Sequence, residues 1–269
     1  MVWVPPEMRE DQGEIELALK NKLPKLVELK DIKGDLHCHS DWNGGENSIL
    51  GMAKKAMSLG YQYIGISDHT KFLRVENGLN EKQLLKQRKE IDKLNEKFKN
   101  KKLKFRILQG AETNILKDGS IDIKDEALEK LDYVIAGIHS SFKMKKDEMT
   151  SRMIKVMKNK HVDIISHPTG RLLKKREEYE IDMDKIIQAA EEYGIILEIN
   201  SHPVRLDLSD QNIRRCKDAG VKMVINTDSH QKEQMRYMLL GVSQARRGWA
   251  EKKDIINVQS LNKLLGYFK

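Results

Sequence analysis

Short apolar runs alternate with longer segments of helical periodicity along most of the chain. The runs are continuous, rich in Ile and Val, and bounded by Gly, Asp or His, which is typical of parallel strands buried on both faces. This pattern predicts seven strands, at residues 32–36, 63–67, 105–109, 133–137, 162–166, 195–199 and 221–226.

Amphipathic segments fill the gaps between these runs. The spacing is clearest over residues 80–99, where Leu84, Ile91 and Phe98 share one helical stripe among lysines and glutamates. The predicted helices lie at residues 48–59, 80–99, 147–158, 182–193, 209–219, 231–240 and 260–268. Asp118 and Gly119 predict a small hairpin over residues 115–123, directly after the third strand.

This alternation predicts an α/β fold with a parallel sheet. Seven strand–helix units favour closure into a distorted seven-stranded, TIM-like (βα)7 barrel, and an open doubly wound sheet is the alternative. Residues 1–30, interrupted by Pro5, Pro6 and Pro24, are expected to form an N-terminal extension. Residues 31–269 are expected to form one barrel domain.

The composition fits a globular protein without membrane segments. Of 269 residues, 39% are hydrophobic and 33% charged, and no apolar run approaches the ~18 residues that span a bilayer. The first residues lack the apolar core of a signal peptide, and only two cysteines occur, so a cytoplasmic location with no membrane partner is expected. The formal charge of +8 permits a polyanionic partner without requiring one.

Seven of the eight histidines stand at the carboxyl end of a predicted strand. In a barrel these ends form the active face, so the side chains would converge on one cavity. Two carboxylates are expected in the same cavity. The converging residues are His37, His39, His69, Glu112, His139, His167, His202, Asp228 and His230. The eighth histidine, His161, precedes the fifth strand and is interpreted as a surface residue on the opposite face.

Imidazoles and carboxylates without thiolates are donors suited to Zn, Mn or Fe. The donors exceed what one ion can bind, which implies about two or three ions and a bridging carboxylate, an arrangement that activates water for phosphoester hydrolysis. Cys38 is expected in the core and His202 beside the substrate. Lys71, Arg171 and Arg205 are expected to bind phosphate, with salt bridges at the rim as the alternative.

The order and spacing of these motifs resemble the polymerase and histidinol phosphatase (PHP) family. The motifs are HCH at 37–39, SDH at 67–69, GAE at 110–112, IHS at 138–140, SHP at 166–168 and TDSH at 227–230. Within that family, VPPEMRE at 4–10, GDLHCHS at 34–40, HPTGRLL at 167–173 and NSHPVRLDL at 200–208 resemble the C-terminal PHP domain of bacterial and archaeal family X DNA polymerases. The resemblance implies a PHP metal-dependent hydrolase barrel over residues 31–269.

The resemblance also implies three ligand sets. One ion would be held by His37, His39, Glu112 and Asp228, and a second by Glu112, His139 and His167. A third would be held by His69, His230 and an acidic or histidine ligand from the loop after the first strand. This loop departs from the family pattern, because Gly44 stands where an aspartate is expected, with Asp41, Asn43 and Glu46 as alternative donors.

The resemblance implies a 3′–5′ exonuclease or 3′-end-processing enzyme that acts on the 3′ ends of DNA. Such an enzyme would hydrolyse phosphodiesters with a metal-bridged hydroxide, and Mn is the usual activator. Glu112, Asp228 and His139 are then the expected catalytic residues. Two alternatives are a histidinol-phosphatase-like enzyme acting on small phosphoesters and a non-catalytic metal-binding module of a polymerase. The sequence contains no nucleotidyl-transfer domains, so polymerase domains are expected as partners if the chain is excised from a longer one.

Overall fold

The computed structural model describes residues 3–73 and 77–268 as an α/β fold whose paired strands are all parallel. The strands are β1 (Gly34–Cys38), β2 (Tyr63–Ile66), β3 (Arg106–Gln109), β4 (Glu112–Asn114), β5 (Ile135–Gly137), β6 (Ile164–Ile165), β7 (Ile196–Asn200) and β8 (Met223–Asn226). They form two sheets, with the orders β1-β2-β3 and β4-β5-β6-β7-β8. All seven predicted strands overlap an observed one.

The two sheets meet at both edges, which makes the arrangement barrel-like. Cys38 bridges to Ser229 just beyond β8, and His69 bridges to Glu112 at the start of β4. The backbone N–H of His39 also donates to the carbonyl oxygen of Ser229 at 2.8 Å. These bridges bring the carboxyl ends of β1, β2 and β8 beside the start of β4.

The third predicted strand is broken where the sequence reads Gly110 and Ala111. Before the break β3 pairs with β2, and after it β4 pairs with β5. Glycine is required at this point, because a Cβ on Gly110 would lie 2.4 Å from Cζ of Tyr133. Eight segments therefore stand where seven strands were expected, and the count of seven stays a prediction that treats β3 and β4 as one broken strand.

The barrel interior is filled by one apolar side chain from each of seven strands. These side chains are fully or almost fully buried and pack in one cluster, as expected inside a small barrel. Ile256 and Leu264, from the end of the chain, join the same cluster. The strand residues of the cluster are Leu36, Tyr63, Leu108, Ile135, Ile164, Ile196 and Val224. The interior is therefore a packed core, which leaves the strand ends for the functional site.

Helices cover the outside of the strands. They are α1 (Glu14–Leu19), α2 (Ile49–Ser58), α3 (Glu81–Asn100), α4 (Asp125–Leu128), α5 (Lys146–Met157), α6 (Met183–Tyr193), α7 (Asp210–Asp218), α8 (Met238–Arg247) and α9 (Leu261–Leu265). The bounds of the helix predicted at 231–240 are wrong. A 3-10 helix occupies Lys232–Tyr237, and the α-helix α8 begins only at Met238. The predicted hairpin after the third strand is reduced to one antiparallel bridge, between Ile115 and Ile121.

The predicted N-terminal extension packs against the end of the barrel that carries α8. Glu7 pairs with Arg246 at 2.6 Å, and Met8 and Leu26 share an apolar cluster with Trp249. The domain limits at 1–30 and 31–269 stay a prediction, and residues 1–2, 74–76 and 269 within them lie outside the described residues. Among the helices described, none combines the length and apolar character that a membrane span requires.

Candidate metal centre

The carboxyl ends of the strands bring the predicted ligands together. Three groups of donor atoms, each with all members within 4.8 Å of one another, lie at this end. The groups are His37, His39, Glu112 and Asp228; His69, Glu112 and His139; and His39, His69 and His230. The first group has the membership expected for the first ion.

Glu112 is the centre of this arrangement and is fully buried. Its Oε2 lies 3.1 Å from Nε2 of His37 and 3.0 Å from Nδ1 of His69. Its Oε1 lies 2.9 Å from Nε2 of His167 and 3.3 Å from Nε2 of His139. One carboxylate therefore contacts imidazoles at the carboxyl ends of four different strands, which is the position required of a bridging ligand.

Several of these atoms lie close together without forming hydrogen bonds. Buried polar atoms without a hydrogen-bond partner are rare in proteins, because each costs about 1–3 kcal/mol. Here the residues that carry them belong to the three donor groups, and lone pairs on such atoms suit cations. In the described part of the chain they include His37 Nε2, both ring nitrogens of His39, His69 Nδ1, His139 Nε2 and Glu112 Oε2. The donor set therefore fits divalent metal ions.

A second buried carboxylate, Glu198 on β7, orients one of the predicted ligands. Its Oε1 lies 2.7 Å from Nδ1 of His37, and its Oε2 accepts the backbone N–H of His167 at 2.8 Å. This contact places a proton on His37 Nδ1 and leaves Nε2 free to coordinate. The sequence interpretation missed Glu198. The available signal was a carboxylate in the middle of an apolar strand, which must find a partner when buried.

The imidazoles keep Glu112 ionised. Burial alone would raise its pKa, but the positive charges available on His37, His69 and His139 outweigh burial and hold the pKa of Glu112 well below its usual range. The pKa of His39, in contrast, is well below its usual range. Burial and the adjacent rings of His230 and His69 both disfavour the charged form of this imidazole. The centre therefore combines a fixed negative charge with a neutral imidazole, as metal ligands require.

Asp228, just beyond β8, has left-handed backbone with φ +53°. This conformation turns its carboxylate toward the cluster, where Oδ1 lies 3.2 Å from Nε2 of His39 and Oδ2 accepts from the Asn200 amide at 3.2 Å. Burial opposes ionisation, but His37, His39 and Arg205 hold the pKa of Asp228 well below its usual range. Asp228 is thus a second permanent carboxylate in the centre.

The third group consists of imidazoles alone. The ring of His39 stacks between those of His69 and His230, with centroid separations of 4.5 and 4.1 Å. His39 is therefore the third member where a ligand from the loop after β1 was expected. The second group differs too, because its third member is His69, whereas the expected His167 contacts Glu112 at Oε1, the oxygen that His139 also approaches.

The loop after β1 uses its polar side chains elsewhere. Asn43 is buried and its Oδ1 accepts the backbone N–H of His69 at 2.9 Å. Glu46 accepts a hydrogen bond from Gln231, and Asp41 is exposed. Gly44 has φ +64°, the left-handed region. The group of His39, His69 and His230 thus has no carboxylate from this loop among its members.

Two of the predicted phosphate-binding residues are engaged by other parts of the protein. Lys71 Nζ lies 2.6 Å from Oε1 of Glu81, at the start of α3. Arg171 donates from Nε to the carbonyl oxygen of Arg205 at 2.9 Å and from Nη2 to that of Leu206. Arg171 therefore ties its own loop to the loop that carries Arg205.

Arg205 and His202 lie nearer the donor atoms. Arg205 Nε is 3.3 Å from Oδ2 of Asp228, and its Nη1 is buried without a hydrogen-bond partner among the described residues. His202 is half-buried and packs edge-on against Tyr237 at 5.4 Å, and burial lowers its pKa. The unpartnered Nη1 makes Arg205 the predicted cation best placed to donate to an anion at this centre.

Two residues were predicted to lie outside the ligand set, and the structure confirms the predicted position of only one of them. Cys38 is fully buried in the main apolar cluster, so its assignment to the core is confirmed. His161 was expected at the surface, but its side chain is only 11% exposed, and its Nε2 lies 3.8 Å from both Asp125 and Glu129. The short α4 helix, which the apolar pattern did not predict, supplies Asp125, and Glu129 directly follows its last residue.

Comparisons with known proteins agree on one kind of domain. A family model described as PHP domain matches residues 35–202. The chain is 45% identical over 266 residues to the DNA polymerase/3'-5' exonuclease PolX of Bacillus subtilis, covering 99% of this chain and 46% of that protein. It is 31% identical to a probable phosphatase of Acetivibrio thermocellus, covering 73% of this chain and 78% of that one. The chain thus spans less than half the length of the PolX relative.

A solved structure shares the fold. Histidinol phosphate phosphatase from Lactococcus lactis, crystallised with zinc, L-histidinol and phosphate, superposes with a TM-score of 0.55 at 18% sequence identity. The similarity covers 78% of this chain and 93% of that one. At this level of identity the likeness concerns the fold alone.

Proposed function

This chain belongs to the PHP domain family, and on that premise we propose that it is a metal-dependent phosphoesterase that processes the 3′ ends of DNA as a 3′–5′ exonuclease. The observation that carries the proposal is Glu112, a buried carboxylate surrounded by imidazole nitrogens that lack hydrogen-bond partners in the described residues. The similarity to PolX over 99% of the chain favours DNA as the substrate. We also propose the seven-unit PHP barrel, with β3 and β4 as one strand.

The residues that would hold the ions are those of the three donor groups, except that His167, which contacts Glu112, takes the place of His69 in the second. His37, His39, Glu112 and Asp228 would hold one ion, Glu112, His139 and His167 a second, and His69 and His230 with His39 a third. Divalent cations such as Mn or Zn supply Lewis-acid activation of water and neutralise phosphoryl charge when bound.

The chain's own side chains position the substrate and maintain charge. The ionised carboxylates of Glu112 and Asp228 attract cations, and Glu198 fixes the ring of His37. Arg205 would donate its free Nη1 to a phosphoryl oxygen while its Nε stays on Asp228. His202 would line the same space, whereas Lys71 and Arg171 would have to leave Glu81 and the Arg205 loop to bind phosphate.

A paired assay tests this function. The purified chain loaded with Mn should shorten a 3′-labelled oligonucleotide and should act far less on histidinol phosphate. The reverse preference would favour a small-molecule phosphatase, the second candidate, which the similarity to a probable phosphatase over 73% of the chain supports. Hydrolysis of neither substrate by a fully metal-loaded chain would favour the non-catalytic module.

Arg205→Ala is expected to weaken oligonucleotide hydrolysis by about 10-fold or more, since a charge-assisted bond to phosphate contributes about 1.5–3 kcal/mol. Hydrolysis of a small chromogenic phosphodiester should fall less, and oligonucleotide binding should weaken steeply with salt because phosphate contacts release counterions. Lys263→Ala on α9, which removes an exposed charge beyond the other end of the barrel, is the control. Equal losses on both substrates would point to a phosphatase-type pocket.

Gly44→Asp is expected to raise metal occupancy at the group of His39, His69 and His230. Neutral imidazoles leave the charge of an ion uncompensated, and aspartate tolerates the left-handed backbone of this position better than most residues. Anomalous diffraction above the metal edge would measure the occupancy of each site. A third site that is already full in the unchanged protein would show that the imidazoles suffice.

A further inference from the structure

Buried hydrogen bonds lead from His139 to Asp122, a carboxylate outside the predicted ligands. Asn114 at the end of β4 is 1% exposed, and its Oδ1 lies 2.8 Å from Nδ1 of His139. Its Nδ2 donates to Oδ2 of Asp122 at 2.9 Å and to the carbonyl oxygen of Thr70 at 3.3 Å. The sequence pattern singled out neither residue.

The partners of Asn114 fix the direction of its amide. A carboxylate and a backbone carbonyl only accept hydrogen bonds, so the amide nitrogen must face them and the amide oxygen must face His139. Because that oxygen cannot donate, the proton of a neutral His139 has to sit on Nδ1. Its Nε2, 3.3 Å from Oε1 of Glu112 and without a hydrogen-bond partner in the described chain, is left with a free lone pair.

Asp122 is itself held firmly. Besides the Asn114 side chain it accepts the Thr70 hydroxyl at 2.6 Å, the backbone N–H of Asn114 at 3.0 Å and that of Phe72 at 2.8 Å. It therefore fixes the amide direction and, at the same time, the segment that follows the ligand His69. The bonds from Thr70 and Asn114 are buried, since Asp122 is 8% exposed and Thr70 fully buried.

We propose that Asp122 is a positioning residue that acts through Asn114 to keep the proton of His139 on Nδ1 and to present Nε2 to a cation. The ligand role of His139 rests on the proposed function, whereas the position of the proton does not. Contacts beyond the ligands commonly change metal affinity or activity by about 10- to 100-fold. Asp122 is expected to act in that range.

Asp122→Asn tests the proposal without changing side-chain size. Whichever way the new amide turns, its NH2 group meets a donor, either Asn114 Nδ2 and Phe72 N–H or the backbone N–H of Asn114. Asn114 then loses its charged acceptor, and in the molecules whose Asn114 amide reverses and donates to His139 the proton moves to Nε2. Nitrogen-15 NMR of the imidazoles in the metal-free full chain, assigned with His139→Gln, reports this proton, and calorimetry with Mn²⁺ should show about 10- to 100-fold weaker binding.

Two further sets of variants complete the experiment. Asp118→Asn, in the same hairpin but exposed and bonded to Ser120, should leave both readouts unchanged. If Asp122→Asn does not fold, Asn114→Asp and Asn114→Leu replace it: the first keeps an acceptor and the proton on Nδ1, and the second lets the proton distribute over both nitrogens.

The proposal is overturned if Asp122→Asn keeps the proton on Nδ1 and binds Mn²⁺ within about twofold of Asp118→Asn. It is also overturned if the two Asn114 variants give the same tautomer. Failure of the unchanged chain to bind Mn²⁺ would contradict the proposed function instead, and the NMR result on metal-free protein would stand by itself.

Discussion

Glu112→Gln is expected to lower phosphodiester hydrolysis by about 10³-fold or more, the largest effect of any single substitution considered. Removal of one preorganised electrostatic contact typically costs about 10²–10³ in rate. Glu112 belongs to the ligand sets proposed for both the first and the second ion, so its loss would affect both. The substitution keeps size and shape but removes the negative charge that four imidazoles surround.

The barrel itself should survive this change. Glu112 contributes to the centre and not to the apolar cluster inside the strands, so circular dichroism and the cooperativity of unfolding should be unchanged. Asp228→Asn should behave in the same direction, and Glu96→Gln, an exposed residue of α3, is the control. Near-normal turnover of the Glu112 variant would show that the carboxylate is not the bridging ligand.

Metal loading is expected to stabilise the fold by about 4 kcal/mol when free metal is about 1,000 times its dissociation constant. This gain should depend on pH because binding displaces protons. Burial would lower the pKa of His37, but Glu112, Glu198 and Asp228 outweigh burial and raise the pKa of His37 well above its usual range. In the metal-free protein His37 therefore keeps its proton at neutral pH, and an ion must displace it.

The sign of the effect follows from that proton. The proton on His37 stabilises the metal-free fold fully below the ordinary imidazole pKa of about 6.5, and this contribution is lost as pH rises through the raised value. The metal-dependent gain should therefore grow as pH rises toward the raised pKa of His37 and decline as pH falls below it. Thermal unfolding with Mn²⁺ and with chelator, at several pH values, measures it. A gain that is constant from acid to neutral pH would exclude imidazole ligands.

The sequence was sufficient to predict the strand ends and the convergence of histidines and carboxylates at them. Buried parallel strands have a pattern that is visible in a few residues. His37 lies near the end of β1, and His69, His139 and Asp228 come within three residues after β2, β5 and β8. Because parallel strands end at one face of a barrel, their convergence needs no knowledge of long-range contacts.

The contacts around the ligands could not be predicted in this way. Glu198 bonds a ring that is 161 positions away in the sequence, and Arg171 bonds carbonyl groups of another loop. The regrouping of His39 with His69 and His230 depends on ring orientations, which strand alternation does not fix. The need for glycine at the break depends on the ring of Tyr133, which is a tertiary contact too.

The central claim is that the strand-end cluster binds divalent ions, and elemental analysis tests it most directly. The purified full chain would be loaded with Mn²⁺ or Zn²⁺, desalted and measured for metal per chain, beside the Glu112→Gln variant. The account predicts about two or more equivalents in the unchanged protein and a clear loss in the variant. Less than about half an equivalent in the loaded, folded protein would contradict it.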